Sequence, residues 1–92
     1  MKLLLVFATP RECSVVEPLF KPDRISDHSF AWGCHEVNLL VTGVGMVASS
    51  LSIASELASN RPDLVVHAGI SGSYHHSLAV GQPVWIEAEC FP

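Results

Sequence analysis

Positive charge is scarce in this sequence. Only 5 of the 92 residues are Lys or Arg, against 9 Asp or Glu, and the formal net charge is −4. Proteins that bind nucleic acids or anionic membranes carry clusters of basic side chains, and no run of Lys or Arg occurs here. The charge pattern therefore argues against both partner classes and favours a small molecule as the ligand.

Cysteine is also rare. Cys13, Cys34 and Cys90 are an odd number, and no two of them have the C-x-x-C spacing. A disulfide scaffold uses an even set of cysteines, so we expect reduced thiols in a cytoplasmic protein. The five histidines contain no H-x-x-x-H pair, and the sequence therefore predicts no metal site.

Long apolar runs are missing. The opening run, residues 3–8, is shorter than the core of a secretory signal peptide and is followed at once by Thr9 and Pro10. No other run approaches the length of about 20 residues that spans a bilayer. We expect no membrane segment, and we interpret residues 3–7 as a strand covered on both faces.

Apolar residues are nevertheless abundant. Hydrophobic residues make up 49% of the chain and charged residues only 15%, which is too apolar for a disordered chain and poor in the charges that keep a small monomer soluble. The chain also stops just after a predicted strand that no helix covers. We expect residues 1–92 to be the amino-terminal part of a single larger domain. A truncated product that cannot fold stably is the open alternative.

Strand and helix patterns alternate along the chain. Predicted strands cover residues 3–7, 29–32, 37–41, 64–68 and 84–88, a loop covers 22–28, and predicted helices cover 10–19 and 46–60. Thr9 is placed as the cap of the first helix, with Pro10 at its first position. This alternation predicts an α/β fold with a largely parallel sheet.

Residues 43–48 have the form G-x-G-x-x-A of a dinucleotide-binding turn and lie between a predicted strand and helix. Such a site also needs an acidic residue about 20 positions later at the end of the next strand, whereas Asp63 precedes its strand. Glycines that simply allow a tight turn and close helix packing explain the pattern equally well. A noncatalytic nucleotide-binding half-domain stays open as an alternative.

Glu12 is the carboxylate of greatest interest, because it lies at a strand-to-helix junction where side chains face the ligand crevice of a parallel sheet. A carboxylate with a free oxygen there can accept a proton from water. As the fourth residue of Thr-x-x-Glu, however, it can also bond back to the helix cap. The sequence leaves both roles open.

Four segments in order resemble the nucleoside phosphorylase and nucleosidase superfamily: residues 8–12, 42–48, 62–73 and 78–81. The resemblance spans nearly the whole chain but only about the first half of the family's domain. It implies a three-layer phosphorylase/hydrolase-like α/β domain with a central mixed, largely parallel sheet, here truncated. It also implies a homodimer in the full-length form.

The resemblance further implies a site for a small nucleoside, without metal or organic cofactor. Glu12 falls where family nucleosidases hold the water that attacks the anomeric carbon. The implied substrate-binding residues are Thr9, Val44, Gly45, Ile70, Ser71 and Gly72. The acid that assists the leaving base and a Met-Glu pair that holds the ribose would lie beyond residue 92, so this chain alone is expected to be inactive.

Within the superfamily, residues 67–73 and 89–91 are most similar to futalosine hydrolases, which implies release of hypoxanthine and dehypoxanthine futalosine in menaquinone biosynthesis. Methylthioadenosine/S-adenosylhomocysteine nucleosidase and purine nucleoside phosphorylase are the alternatives. Phosphorylases bind phosphate with arginines, and Arg11, Arg24 and Arg61 show no clamp pattern. Hydrolysis is therefore favoured over phosphorolysis.

Overall fold

The computed structural model describes residues 1–20 and 24–90. The elements in chain order are β1 (Lys2–Phe7), α1 (Pro10–Phe20), β2 (Ser29–Trp32), β3 (His35–Val41), α2 (Met46–Ser59) and β4 (Leu64–His67). The four strands form one sheet that is mixed and largely parallel. The predicted α/β class is confirmed.

The order of strands in the sheet is β2-β3-β1-β4. β1 pairs in parallel with β3 on one side and with β4 on the other, whereas β2 pairs antiparallel with β3. Phe7 lies opposite Val41, and Val6 lies opposite His67. The three parallel strands therefore end at the same edge of the sheet, and the loops that follow them leave from that edge.

The core lies between α1 and one face of the sheet. It consists of Phe7, Cys13, Phe20, Phe30, Val37 and Leu39, with Leu3, Leu5 and Val16 packed against it. Leu4 and Val6 alternate with these residues along β1 and are also buried, at 2% and 0% exposure. Because β1 is buried on both faces, its continuous apolar run forms the central strand, as the sequence predicts.

Local side-chain signals begin α1. The Glu12 N–H donates to Thr9 Oγ1 at 3.3 Å, which makes Thr9 the cap before Pro10. The helix continues to Phe20, whose buried ring lies 6.2 Å from Phe30 and 6.0 Å from Trp32 between ring centroids. The described helix thus reaches one residue past its predicted end near residue 19, and its last residue packs against the hairpin.

The hairpin β2–β3 is confirmed, although β3 begins at His35 rather than at residue 37. Gly33 adopts φ 60°, so the turn is tight and places Trp32 opposite His35. Of the predicted loop at 22–28, residues 22 and 23 lie outside the described residues. Its remainder contains a single β-bridge, between Arg24 and Phe30.

The predicted strand at residues 84–88 is wrong. This segment pairs with no strand of the described residues, and Val84, Trp85 and Ile86 are 50%, 85% and 64% exposed. An apolar run becomes a strand only where a neighbouring strand satisfies its backbone N–H and C=O groups. Within residues 1–20 and 24–90 this run has no such neighbour.

α2 forms where helical periodicity predicts it, but none of its residues is buried. Val47 and Leu51 are 73% and 68% exposed. Polar contacts hold its first turns instead, since the Ser52 hydroxyl donates to the Thr42 carbonyl at 3.2 Å and the Thr42 and Ser49 hydroxyls lie 3.3 Å apart. In the described part of the chain, neither helix has the length and apolar character to cross a membrane.

Candidate functional site

All the predicted site residues lie in loops or first helical turns at the carboxyl ends of the parallel strands. Thr9 and Glu12 follow β1, Val44 and Gly45 follow β3, and Ile70, Ser71 and Gly72 follow β4. Because β1 lies between β3 and β4, its loop is the central one. Ligands of parallel α/β sheets bind in the crevice outside these strand ends, so the topology brings the three loops to one candidate site.

The Glu12 carboxylate is held by a side chain rather than by the backbone. Its Oε1 accepts a hydrogen bond from the Thr9 hydroxyl at 3.1 Å, while the Glu12 N–H donates to the same Thr9 oxygen. In a full capping box the carboxylate would bond to the backbone N–H of the cap residue. Only the half of the box in which the Glu12 N–H donates to Thr9 Oγ1 forms here. Glu12 Oε2 takes no part in the cap.

Oε2 instead lies against the turn that follows β4. A Cβ atom built on Gly69 would be 2.7 Å from Glu12 Oε2 and 3.7 Å from its Cδ. The carboxylate therefore reaches from the start of α1 to the first residue of the second glycine-rich turn. The structure thus brings Glu12 together with Thr9 and with the segment that contains Ile70, Ser71 and Gly72.

The turn after β3 has a backbone that favours glycine. Gly43 and Gly45 adopt φ values of 89° and 100°, which lie in the left-handed range that residues with a Cβ rarely adopt. Gly45 is the N-cap residue of α2, and as a glycine it has no side chain to bond to the first helical N–H groups. Val44, between them, is 77% exposed. The structure places this turn at the same edge of the sheet as Glu12, and the Val44 side chain faces solvent.

The turn after β4 is also open to solvent. Ile70 is 88% exposed, and a Cβ atom on Gly72 would meet no atom of the described residues within 4 Å. An apolar depression of about 1020 Å³ begins at Gly45 and His67 and continues along α2. The candidate site is therefore an open edge of the sheet that borders an apolar surface.

Cys13, next to Glu12 in sequence, fixes the rotation of α1. Its side chain is 7% exposed and belongs to the core cluster. With Cys13 turned inward, Glu12 lies toward the sheet edge. Burial, followed by the nearby Glu17 carboxylate, raises the pKa of the Cys13 thiol above its ordinary value of 9.0.

Cys13 is expected to react with a thiol reagent at neutral pH more slowly than the exposed Cys34 and Cys90, because its side chain is only 7% exposed and its raised pKa lowers the population of the reactive thiolate. Absorbance from a disulfide reagent should show a fast phase and a slow phase. The slow phase should disappear in Cys13→Ser and become fast in denaturant. A fast third thiol in the native protein would contradict the burial of this face of α1.

The acidic residue needed for dinucleotide binding lies at the wrong edge. Asp63 Oδ2 accepts the Lys2 N–H at 2.6 Å, and the Asp63 N–H donates to the Lys2 carbonyl. These contacts place Asp63 at the amino ends of β1 and β4, opposite the edge that holds Gly43 and Gly45. The structure therefore gives no support to the dinucleotide alternative.

Gly69 is the residue of this site that sequence reasoning missed. The family resemblance pointed to Ile70, Ser71 and Gly72 of this turn, and not to Gly69 as the neighbour of a carboxylate. The available signal was a glycine directly after a strand end, but identifying its partner required the order of strands in the sheet.

Among the described residues, no three His, Cys, Asp or Glu side chains are placed to share a metal ion.

Comparison with known proteins shows similarity to nucleosidases. The 5′-methylthioadenosine/S-adenosylhomocysteine nucleosidase of Bacillus velezensis is 32% identical over 90 residues, which cover 91% of this chain and 39% of the relative. The nucleosidase of the same name from Bacillus pumilus is 31% identical over 90 residues, with the same two coverages. That of Bacillus cereus strain B4264 is 42% identical over 50 residues, which cover 54% of this chain and 22% of the relative.

No family model matches the chain, and no solved structure matches it. The chain spans 39% of the length of the two relatives that match it over 90 residues. These relatives are named for methylthioadenosine and S-adenosylhomocysteine, not for futalosine. Over 91% of its own length, this chain is thus similar to 5′-methylthioadenosine/S-adenosylhomocysteine nucleosidases.

Proposed function

We propose that this chain is part of a nucleosidase and supplies the carboxylate that activates water for hydrolysis of an N-glycosidic bond. One observation carries the proposal. Glu12 is held through Oε1 by the Thr9 hydroxyl, while Oε2 lies at the glycine turn after β4, at the edge where three parallel strands end. The names of the relatives support the same reaction class.

The proposed chemistry uses Glu12 as a general base. As the bond between C1′ and the base nitrogen breaks, positive charge develops on the sugar, and a water oxygen forms the new bond to C1′. Glu12 accepts a proton from that water. The base leaves with the electron pair of the broken bond and takes a proton from an acid that we place outside these 92 residues. No metal or organic cofactor enters this scheme.

The two glycine turns would border the substrate. We propose that Val44 and Gly45 line the sugar side, that Thr9 lines the pocket beside Glu12, and that Ile70, Ser71 and Gly72 lie beside ribose and base. The exposure of Val44 and Ile70 supports this, because neither side chain is used in the core.

The relatives favour methylthioadenosine and S-adenosylhomocysteine as substrates. Futalosine is the second candidate, on the resemblance of residues 67–73 and 89–91 to futalosine hydrolases; of these, Phe91 lies outside the described residues. Hydrolysis is preferred to phosphorolysis because Arg24 is engaged elsewhere. Its guanidinium lies 3.4 Å from Glu17 and 5.7 Å from the centre of the Phe30 ring.

We also propose that residues 1–92 are the amino-terminal part of one domain that further residues complete, and that the complete form is a cytoplasmic homodimer. The exposed apolar side chains of α2 and of residues 84–86 support a missing neighbour. The free cysteines support a reducing compartment. On this proposal the 92-residue chain alone is inactive.

The test measures base release by chromatography. The chain is assayed alone and joined to the part of the Bacillus velezensis relative that it does not match, with methylthioadenosine, S-adenosylhomocysteine or futalosine, with and without phosphate. We expect the joined protein to release adenine from the first two at a rate independent of phosphate. Release of hypoxanthine from futalosine, with no adenine released from the other two substrates, would select futalosine.

Two results would contradict the proposal. Formation of a sugar phosphate would show phosphorolysis instead of hydrolysis. Saturable binding of NADH, with no base released from any nucleoside, would favour the noncatalytic nucleotide-binding alternative.

A further inference from the structure

The backbone conformation at position 69 does not require glycine. The glycines with positive φ are Gly33, Gly43, Gly45 and Gly81, and Gly69 is not among them. An alanine at position 69 would therefore carry no left-handed strain. The reason for a glycine at this position lies outside its own conformation.

Space is that reason. A Cβ on Gly69 would lie 2.7 Å from Glu12 Oε2, closer than the 3.0 Å that Cβ atoms in proteins essentially never breach. The Cδ of Glu12 would be at 3.7 Å, an ordinary van der Waals contact. The conflict involves only the carboxylate oxygen, which occupies the volume that a side chain at position 69 would fill.

The carboxylate is confined on its other side as well. Oε1 accepts the Thr9 hydroxyl at 3.1 Å, and that hydroxyl is itself tied to the Glu12 N–H. A Cβ at position 69 would push the end of a flexible side chain, so the carboxylate would rotate and its bond to Thr9 would lengthen. The backbone of both loops could stay in place.

We propose that Gly69 is a positioning residue for Glu12: its missing side chain leaves the room in which the carboxylate keeps Oε2 directed at the site. The inference rests on the nucleosidase function proposed above. General-base catalysis requires the base within hydrogen-bond reach of the water it activates. A displacement of about 1 Å in such a geometry can lower a rate by about 10²-fold.

Gly69→Ala is expected to lower kcat for base release by about 10- to 100-fold and to change KM by less than about threefold. The measurement uses the form of the protein in which base release has been established. The melting temperature should fall little or rise, because alanine at a compatible backbone conformation reduces the entropy of the unfolded chain.

The same substitution in a Glu12→Asp background is the matched control. Aspartate is one methylene shorter, so its carboxylate withdraws from position 69. Glu12→Asp itself lowers kcat, but adding Gly69→Ala to it should lower kcat further by less than about threefold. Equal losses in the two backgrounds would overturn the proposal, because Gly69 would then act on the turn and not on the carboxylate.

A second measurement needs no activity. In the 92-residue chain labelled with ¹³C at glutamate carboxyl carbons, the Glu12 resonance is assigned by its loss in Glu12→Gln. Gly69→Ala should shift this resonance, whereas Gly72→Ala should leave it in place because a Cβ there meets no atom within 4 Å.

An unmoved resonance in Gly69→Ala would overturn the proposed contact whatever the activity shows. A shifted resonance in the 92-residue chain, together with no base released from any nucleoside by the joined protein, would instead uphold the contact and reject the nucleosidase function. The two failures are therefore distinguishable.

Discussion

Glu12→Gln is expected to lower kcat for base release by about 10²- to 10⁴-fold, the range in which a general base contributes. The amide keeps the size of the carboxylate, and its oxygen can still accept the Thr9 hydroxyl, but it cannot take a proton from water. KM should change little, because the lost interaction belongs to the transition state. Steady-state kinetics on the active form of the protein would measure both constants.

Glu17→Gln is the matched control, since Glu17 lies on the same helix. Its carboxylate makes a partly exposed ion pair with Arg24 at 3.4 Å, and exposed pairs of this kind contribute about 0–1 kcal/mol to stability. We expect its activity to stay within about twofold of the wild type. A wild-type rate in Glu12→Gln would refute the role assigned to this carboxylate.

Phe30→Ala is expected to destabilise the fold by about 3–5 kcal/mol, the range for removing a buried aromatic side chain. Phe30 is 0% exposed, contacts Phe20 and lies beneath the Arg24 guanidinium. A chain of this size has a total stability of roughly 5–14 kcal/mol. Because much apolar surface of this chain is exposed, we expect its stability to lie near the lower end of that range. The variant should therefore be largely unfolded at 37 °C.

Urea denaturation followed by circular dichroism would measure the loss. Tyr74→Ala provides the control, because Tyr74 is fully exposed and a surface change of this kind is expected to alter stability by less than about 0.5 kcal/mol. If Phe30→Ala and Tyr74→Ala unfold at the same urea concentration, the hairpin does not form the core against α1.

Local chemistry made the first half of the fold predictable. The apolar run of β1 is followed directly by Thr9 and Pro10, which define a helix start through one side-chain bond and one fixed φ angle. The predicted bounds of β1 and α1 are consequently correct to within one residue. The turn glycines Gly43 and Gly45 were recognisable for the same reason, since the freedom to adopt the positive φ seen there belongs to glycine itself.

Elements that depend on a distant neighbour were not predictable. Residues 84–88 have the apolar character of a strand but pair with no strand in the described part of the chain, and α2 has helical periodicity but buries no residue. Composition and periodicity describe what a segment can bury. They do not say whether another segment is present to cover it.

By itself the sequence determined which residues could carry the chemistry: a carboxylate at the first strand-to-helix corner and two turns rich in glycine. Only the tertiary structure decided that the carboxylate meets the second of these turns, because β1 lies between β3 and β4 and so brings Glu12 against Gly69, 57 positions away along the chain. Residue type and turn conformation are local properties of the chain. The contact between a carboxylate and a remote backbone depends on strand order, which is settled by how the apolar faces pack.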